Sequence, residues 1–281
     1  MPVISLEKNY AITGFSLIPN TTTSIREVHK KTIPACLIAQ GHTGLRLQRY
    51  KLLLNLQKTM KYSEYEKAFS PARLTKYLKA CGGDSSAALT LYRHNIKLCQ
   101  KCYGILNVFE IVLRNAINEH YKTYFADPDW IRHQIVPGGM LENHPQRSAV
   151  EKAIADLDKA GKYTNDRVVS SVTFGFWTHL FSRRPFALGG QSILQIFPNR
   201  TKGLGQRVVY NELNEVKSFR NRIAHHEAIC FDATGAKNTE SAKNNYALVL
   251  KYVQFLDYSE SHLYYGLDVL PDKILEKIDT L

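Results

Sequence analysis

The amino-acid sequence predicts an all-α protein in which residues 60–281 form a single helical domain. Apolar residues recur at three- and four-residue steps through most of this region, and no stretch shows a competing alternation typical of strands. The composition, 44% hydrophobic and 22% charged over 281 residues, is that of an ordinary globular chain. We therefore expect a bundle of helices around one apolar core.

Residues 1–59 differ from the rest in pattern and in charge. They show no sustained helical stripe, and eight Lys and Arg against two Glu give them a net charge of 8 − 2 = +6, half of the +12 of the whole chain. Helical patterning begins directly after Met60. Our hypothesis is that Met60 is the true start, and that residues 1–59 are a disordered extension or mistranslated upstream sequence. The alternative is a basic arm that follows RNA.

The first helices of the domain are marked by boundary residues and apolar stripes. Ser70 before Pro71 predicts a helix start with Ser70 as the N-cap. A central helix is expected over about residues 87–125, with one stripe at Leu98, Cys102, Ile105, Phe109, Val112 and Ala116. A second stripe runs through Cys99, Tyr103, Leu106, Glu110, Leu113 and Ile117. Two adjacent stripes make a broad buried face, as in the central helix of a bundle.

Turn residues divide the remainder of the chain into shorter helices. We expect helices over residues 143–160, 170–182, 208–228, 241–256 and 271–280. Residues 183–207 contain two Pro and four Gly and are expected to be irregular. Their basic residues either grip an RNA backbone or form a solvated loop; these are Arg183, Arg184, Arg200, Lys202 and Arg207.

Charge and cysteine content narrow the classes of function. A net charge of +12 and a pI near 9.4 favour a polyanionic partner such as RNA. Five cysteines, an odd number, do not indicate a disulfide framework, so a reducing cytoplasmic compartment is expected. No apolar run approaches the length of a membrane span, and the N-terminus lacks the pattern of a secretory signal. We expect no membrane partner.

The segment Phe219–Glu227 holds the most informative residues for chemistry. Arg220 supplies a permanent cation, Asn221 an amide, and His225 and His226 two imidazoles. Guanidinium binds phosphate, and imidazole exchanges protons near neutral pH. RNA carries its own nucleophile, the 2′-hydroxyl. Together these groups could therefore cleave RNA without a metal.

Each of these residues has a candidate role in such a cleavage. His225 would be the general base or acid, Arg220 would stabilise charge that develops on the phosphate, and Asn221 would orient the phosphate or the imidazole. The products would carry a 2′,3′-cyclic phosphate and a 5′-hydroxyl. His226 is interpreted as a solvated or capping residue that could substitute for His225.

Helical geometry separates Arg220 from His225. Arg220 lies about 40° from the centre of the apolar stripe of its helix, whereas His225 lies on roughly the opposite side. Five residues turn through about 500°, so the two do not share a face of a regular helix. Convergence on one phosphate requires a loosened helix or a second subunit, which favours a symmetric homodimer.

An inward Arg220 needs an anionic partner, because an unpaired buried charge is costly. Glu110 interrupts an apolar stripe of the central helix and is the candidate partner. Arg114, at i+4, could instead satisfy Glu110 locally. Two hypotheses stay open: a network of Glu110, Arg114 and Arg220 that aims Arg220, or a structural pair of Glu110 with Arg114 alone.

These motifs resemble a known family. The pattern Arg220-Asn221-x3-His225 is similar to the R-x(4–6)-H motif of HEPN domains (higher eukaryote and prokaryote nucleotide-binding). Glu110, Arg114 and Asn115 resemble the E-x-x-x-R-N helix of Abi-like (abortive infection) proteins. Two further signatures, at 173–177 and 91–95, follow the same family in the expected order, so the resemblance covers about residues 60–281. Residues 1–59 have no counterpart.

The resemblance implies a HEPN-like helical bundle, often dimeric, with a metal-independent endoribonuclease site. It also implies bacterial defence against phage through RNA damage, as in toxins that are paired with an antitoxin. Some members of the family only bind RNA, and a structured small RNA would then be a partner. A pure interaction module, in which Arg220 and His225 support a dimer interface, is the third alternative.

No metal or other cofactor is expected. Cys99 and Cys102 form a lone pair on a helical stripe, and neither a second such pair nor an HxxxH lies nearby to complete four zinc ligands. Core packing is the simpler interpretation. No glycine-rich nucleotide loop of the Walker or dinucleotide type is present.

Overall fold

The computed structural model describes residues 60–281, and the hypotheses about residues 1–59 lie outside the described residues. The helices, numbered in chain order, are α1 (Tyr62–Phe69), α2 (Pro71–Ala80), α3 (Ser85–Phe125), α4 (Trp130–Gln134), α5 (Arg147–Lys159), α6 (Asn165–Ser171), α7 (Phe174–His179), α8 (Arg183–Leu188), α9 (Gln206–Ala224), α10 (Glu240–Phe255), α11 (Glu260–Leu263) and α12 (Asp272–Asp279). A 3₁₀-helix covers Ile193–Ile196. Residues 60–281 contain no strand, only an isolated bridge between Phe231 and Lys237, so the all-α prediction is confirmed.

Helix α3 is the centre of the fold. Its N-cap is Asp84, whose carboxylate accepts hydrogen bonds from the backbone N–H of Ser86 at 2.8 Å and of Ala87 at 3.1 Å. Helices α2, α7, α9, α10 and α12 all pack on it. The first predicted stripe is fully buried at Leu98, Cys102, Ile105 and Phe109. The second stripe is buried at Leu106, Leu113 and Ile117, but Tyr103 is exposed.

Several of the predicted boundaries are wrong, and the helix expected over 143–160, for example, begins only at Arg147. Residues 183–207 are not wholly irregular, because α8 and the 3₁₀-helix lie within them. Pro185 lies in the first turn of α8, where the N–H that proline lacks would have no partner within the helix. The expected helix over 170–182 is interrupted at Val172, whose backbone is extended, and α6 and α7 replace it. Ser70 does precede α2, but its side chain makes no cap hydrogen bond.

Helix α9 carries the motif and ends earlier than its pattern predicts. Its C-terminus is a Schellman arrangement: the N–H of Glu227 donates to the carbonyl of Arg222 at 2.9 Å, and the N–H of His226 donates to that of Ile223 at 3.0 Å. His226 takes the left-handed conformation (φ 59°) that this ending requires. Arg73 of α2 donates to the His226 carbonyl at 2.8 Å and ties the end of α9 to α2.

None of the helices within residues 60–281 combines the length and the apolar character that crossing a bilayer requires. Cys102 and Cys230 are buried in the core, and Cys99 is half-buried beside it.

Candidate functional site

Arg220 is turned inward on α9 and meets Glu110 of α3. Its neighbours Val216 and Ile223 are buried in the core, which draws this face of the helix toward α3. The Nε atom of Arg220 lies 3.4 Å from Oε2 of Glu110, with side chains only 27% and 16% exposed. That separation is longer than a usual hydrogen bond, and this Nε has no hydrogen-bond partner among the described residues. The contact is therefore an ion pair rather than a hydrogen bond.

The surroundings of Glu110 disfavour its ionised form. Burial raises the pKa of Glu110 above its ordinary value, while Arg220, Arg114 and the backbone N–H of Phe174 oppose the shift. The direction of the pKa shift shows that desolvation outweighs these attractions. Glu110 thus lies where α3 faces α9, near the start of α7.

Arg114 does not form the local pair that was the alternative for Glu110. It makes no ion pair within residues 60–281, and its buried Nε has no hydrogen-bond partner there. Its charge acts on Glu110 over a longer distance. The structure thus brings Glu110 to Arg220, with Arg114 nearby as a second cation. Asn115, next in the sequence, is exposed on α3.

A cleft of about 290 Å³ opens beside Arg220, and we call it the Arg220 cleft. It is lined by His144, Pro145, Gln146, Thr173, Phe174, Gly175, His179, Asn214, Lys217, Arg220 and Asn221. These residues come from the loop before α5, from the start and end of α7 and from one face of α9. Two of these residues, Lys217 and Arg220, are basic, and none of them is acidic.

The two histidines of the cleft have different surroundings. His144 is buried, and both ring nitrogens are engaged: Nδ1 accepts from the N–H of Gln146 at 3.0 Å, and Nε2 lies 3.2 Å from the carbonyl of Phe176. Burial and the adjacent His179 lower the pKa of His144 to about 4, so it is a neutral structural residue. His179 is half-buried, with its Nε2 3.4 Å from the Ser182 hydroxyl.

His225 lies outside the Arg220 cleft. It is the exposed C-cap of α9, and its N–H still donates to the carbonyl of Asn221 at 2.9 Å, so the helix stays regular up to this point. The angular separation of His225 from Arg220 around the helix axis is therefore kept. Of the three predicted catalytic residues, Arg220 and Asn221 share the cleft, and His225 does not line it.

His226 lines a different depression. This groove of about 760 Å³ lies between the end of α9 and helices α1 to α3, with Tyr92, Ile96 and Tyr103 among its mostly apolar walls. The prediction that His226 caps the helix agrees with its left-handed backbone, although the cap is made by backbone atoms.

The basic residues of 183–207 do not form one patch of equivalent cations. Arg200 is turned inward, and its Nη1 donates to the carbonyl of Leu194 at 3.1 Å. Arg184 is exposed and lies 3.5 Å from a carboxylate oxygen of Glu142. The remaining three, Arg183, Lys202 and Arg207, are exposed.

Sequence reasoning missed Lys217, His179 and Asn214. Asn214, Lys217 and Asn221 recur at three- and four-residue steps on α9, so they form a polar stripe beside the apolar one. That stripe was the available signal for Lys217. His179 had none, because it reaches the cleft from another helix.

No family model matches this chain, and comparisons with curated proteins and with solved structures find no match either.

Proposed function

We propose that this protein is a metal-independent endoribonuclease with a HEPN-like helical bundle of the Abi-like type. The observation that supports this most is the placement of Arg220, which Glu110 holds at the edge of a cleft that also contains Lys217 and Asn221 and has no acidic residue in its lining. A guanidinium fixed in this way meets the charge of a phosphate with little reorganisation. The exposed His225, at the end of the same helix, offers an imidazole to a substrate.

The proposed reaction uses the nucleophile that RNA carries. An imidazole of His225 removes the proton of a 2′-hydroxyl, and the oxygen attacks the adjacent phosphorus. Arg220 stabilises the charge on the phosphate oxygens, and Asn221 orients the group. The bond to the 5′-oxygen then breaks, and this oxygen takes up a proton from a second acid. The products are a 2′,3′-cyclic phosphate and a 5′-hydroxyl.

A homodimer would complete this site. Arg220 and His225 diverge on one regular helix, whereas a twofold axis can place His225 of a second copy opposite Arg220 of the first. The second His225 would also be available as the complementary acid. On this proposal, one chain alone is a poor nuclease.

Cleavage of a single-stranded RNA in excess EDTA tests the proposal. The wild-type protein should cleave and leave cyclic phosphate ends. H225A should lose cleavage and largely keep RNA binding, because the imidazole moves a proton and the guanidinium holds the phosphate. The matched control is H262A, since His262 is an exposed histidine on α11, far along the chain from the motif. Undiminished cleavage by H225A would remove the proposed mechanism.

The main alternative is a non-catalytic RNA-binding protein of the same fold. One observation favours it: His225 does not line the cleft that holds Arg220. Binding without cleavage in the same EDTA experiment would select this alternative. Neither binding nor cleavage would select an interaction module in which Arg220 and His225 support a dimer interface.

The family resemblance extends the proposal to a role in phage defence. RNA damage in the cytoplasm of an infected cell would stop phage production, and an antitoxin or small RNA would restrain the enzyme before infection. Expression of the wild-type chain should then arrest bacterial growth, while H225A should not. Equal growth of the two strains at equal protein levels would contradict this role.

A further inference from the structure

We propose that Lys217, Arg220 and His179 form a phosphate-binding pocket that one copy of the chain completes alone. The pocket is the Arg220 cleft, and its ligand is a phosphate ester of RNA or of a nucleotide. This inference deepens the proposed function and takes its biological meaning from it. It adds two groups, on α7 and α9, that the Arg-Asn-x3-His pattern does not contain.

Charge is the first argument. Lys217 and Arg220 both line the cleft, and the only carboxylate paired with either of them among residues 60–281 is Glu110. Glu110 contacts Arg220 from α3 and is not itself part of the lining. The cleft therefore carries an excess of positive charge that an anion would neutralise.

Unused donors are the second argument. The ammonium of Lys217 has three N–H groups, and among the described residues it makes one hydrogen bond, to Oδ1 of Asn214 at 2.6 Å. The guanidinium of Arg220 has its Nε toward Glu110, and its Nη1 lies 3.5 Å from Oδ1 of Asn221 in the lining. Both cations can therefore donate further hydrogen bonds to oxygens in the cleft.

His179 supplies a third group of a different kind. Burial lowers the pKa of His179, and the positive charge of Lys217 lowers it further, so both effects favour the neutral ring. A neutral imidazole offers one donor and one acceptor, and with Nε2 of His179 beside the Ser182 hydroxyl at 3.4 Å, Nδ1 remains for a ligand. His144, which stacks edge-on against His179 at 4.7 Å between ring centroids, has both nitrogens engaged and cannot serve in its place.

The shape of the cleft suits a small anion. Its volume of about 290 Å³ is at the lower limit of small-molecule sites, enough for a phosphate and part of its sugar. Gly175 keeps the wall open, because a Cβ at this position would lie 3.1 Å from Nε2 of Gln146 and 3.6 Å from Cδ of Lys217. Across the cleft, the amide of Gln146 donates to the hydroxyl of Thr173 at 2.8 Å and ties the loop before α5 to α7.

Calorimetric titration of the whole chain with adenosine 3′-monophosphate tests the pocket, with adenosine as the uncharged comparison. The nucleotide should bind once per chain, with an affinity that falls as salt rises, and adenosine should not bind. K217E should weaken binding by at least about tenfold, because it replaces a charged donor with a repelling charge. His179→Phe, which keeps a ring but removes the donor, should weaken binding by about fivefold.

The control is K159E, which makes the same charge change at an exposed residue at the end of α5. It should bind like the wild type. Circular dichroism on each variant separates lost binding from lost folding. Two competitors distinguish the source of the phosphate. Displacement of the nucleotide by an oligoribonucleotide with hydroxyl ends indicates an internal phosphate, whereas displacement by inorganic sulfate alone indicates a terminal one. Equal affinity of folded K217E and wild type, or one nucleotide per two chains, would overturn the pocket.

Failure of the pocket and failure of the nuclease are distinguishable. Nucleotide binding without RNA cleavage would refute only the nuclease. If the wild type cleaves RNA but does not bind the nucleotide, and K217E cleaves as well as the wild type, only the pocket is refuted.

Discussion

Glu110 of α3 pairs with Arg220 of α9, and not with Arg114 one turn away on its own helix. The pair links the 41-residue α3 to the motif helix at the edge of the Arg220 cleft. It also leaves a carboxylate in a place where burial raises the pKa of Glu110. The contact between Glu110 and Arg220 therefore affects both the stability of the fold and the position of Arg220.

The first prediction concerns the pH dependence of folding. Because the pKa of Glu110 is higher in the folded than in the unfolded chain, the native state binds more protons in the interval between the two values. The Glu110 contribution to stability is thus present at low pH and declines as the pH rises from about its ordinary value of 4.5 through the raised one. E110Q should lack this decline. Urea titrations at several pH values would measure it, and parallel curves for the two proteins would contradict the shift.

The same substitution should separate stability from activity. E110Q resembles the protonated form, so its unfolding free energy at neutral pH should be no lower than that of the wild type. RNA cleavage should fall, since Arg220 loses the charge that holds it. The matched comparison is E119Q, at an exposed Glu later on α3. An E110Q protein with normal cleavage would show that the pair has no part in positioning.

The second prediction concerns the end of α9. His226 adopts φ 59°, which costs a non-glycine residue about 1 kcal/mol or more. H226G should therefore raise the unfolding free energy by roughly 1 kcal/mol, measured by urea denaturation. It should also keep RNA cleavage if His225 is the working imidazole. A stable H226G protein that fails to cleave would assign the chemistry to His226 instead.

The third prediction compares two glycines. A Cβ on Gly139 would collide with the backbone of Gln134, which cannot move aside. Gly139→Ala should therefore destabilise the protein by about 1–3 kcal/mol. Gly175 lies in α7 with a flexible side chain as its nearest neighbour, so Gly175→Ala should change the unfolding free energy by less than about 1 kcal/mol and still narrow the Arg220 cleft. Thermal unfolding would rank them, and the reverse order would contradict the packing.

The fourth prediction tests whether two copies share the nuclease site. If each site needs only Arg220 of one copy and His225 of the other, an R220A and H225A heterodimer has one intact site and one doubly defective site. Mixing the two inactive variants after unfolding and refolding should restore about a quarter of wild-type cleavage, because half of the dimers are mixed and each carries half of its sites. A mixture that stays inactive would indicate that both groups act within one chain, that one site needs His225 of both copies, or that neither group acts.

Much of the fold follows from local patterns. The repeat of Leu98, Cys102, Ile105 and Phe109 predicted the central helix and its buried face, and the boundaries of α10 and α12 were predicted to within a residue. The end of α9 was not, because Ala224 to Ala228 carry no glycine to mark the left-handed position that His226 takes.

The candidate site divides in the same way. Periodicity along one helix placed Arg220 inward and His225 away from it, since both angles depend only on 3.6 residues per turn. Whether Glu110 paired with Arg220 or with Arg114 depended on how closely α9 approaches α3. The meeting of His179 with Lys217, which are 38 positions apart, depended on how α7 and α9 pack. The faces of a single helix follow from the spacing of residues in its own sequence. Contacts between helices depend on how the whole core packs, which the local sequence does not specify.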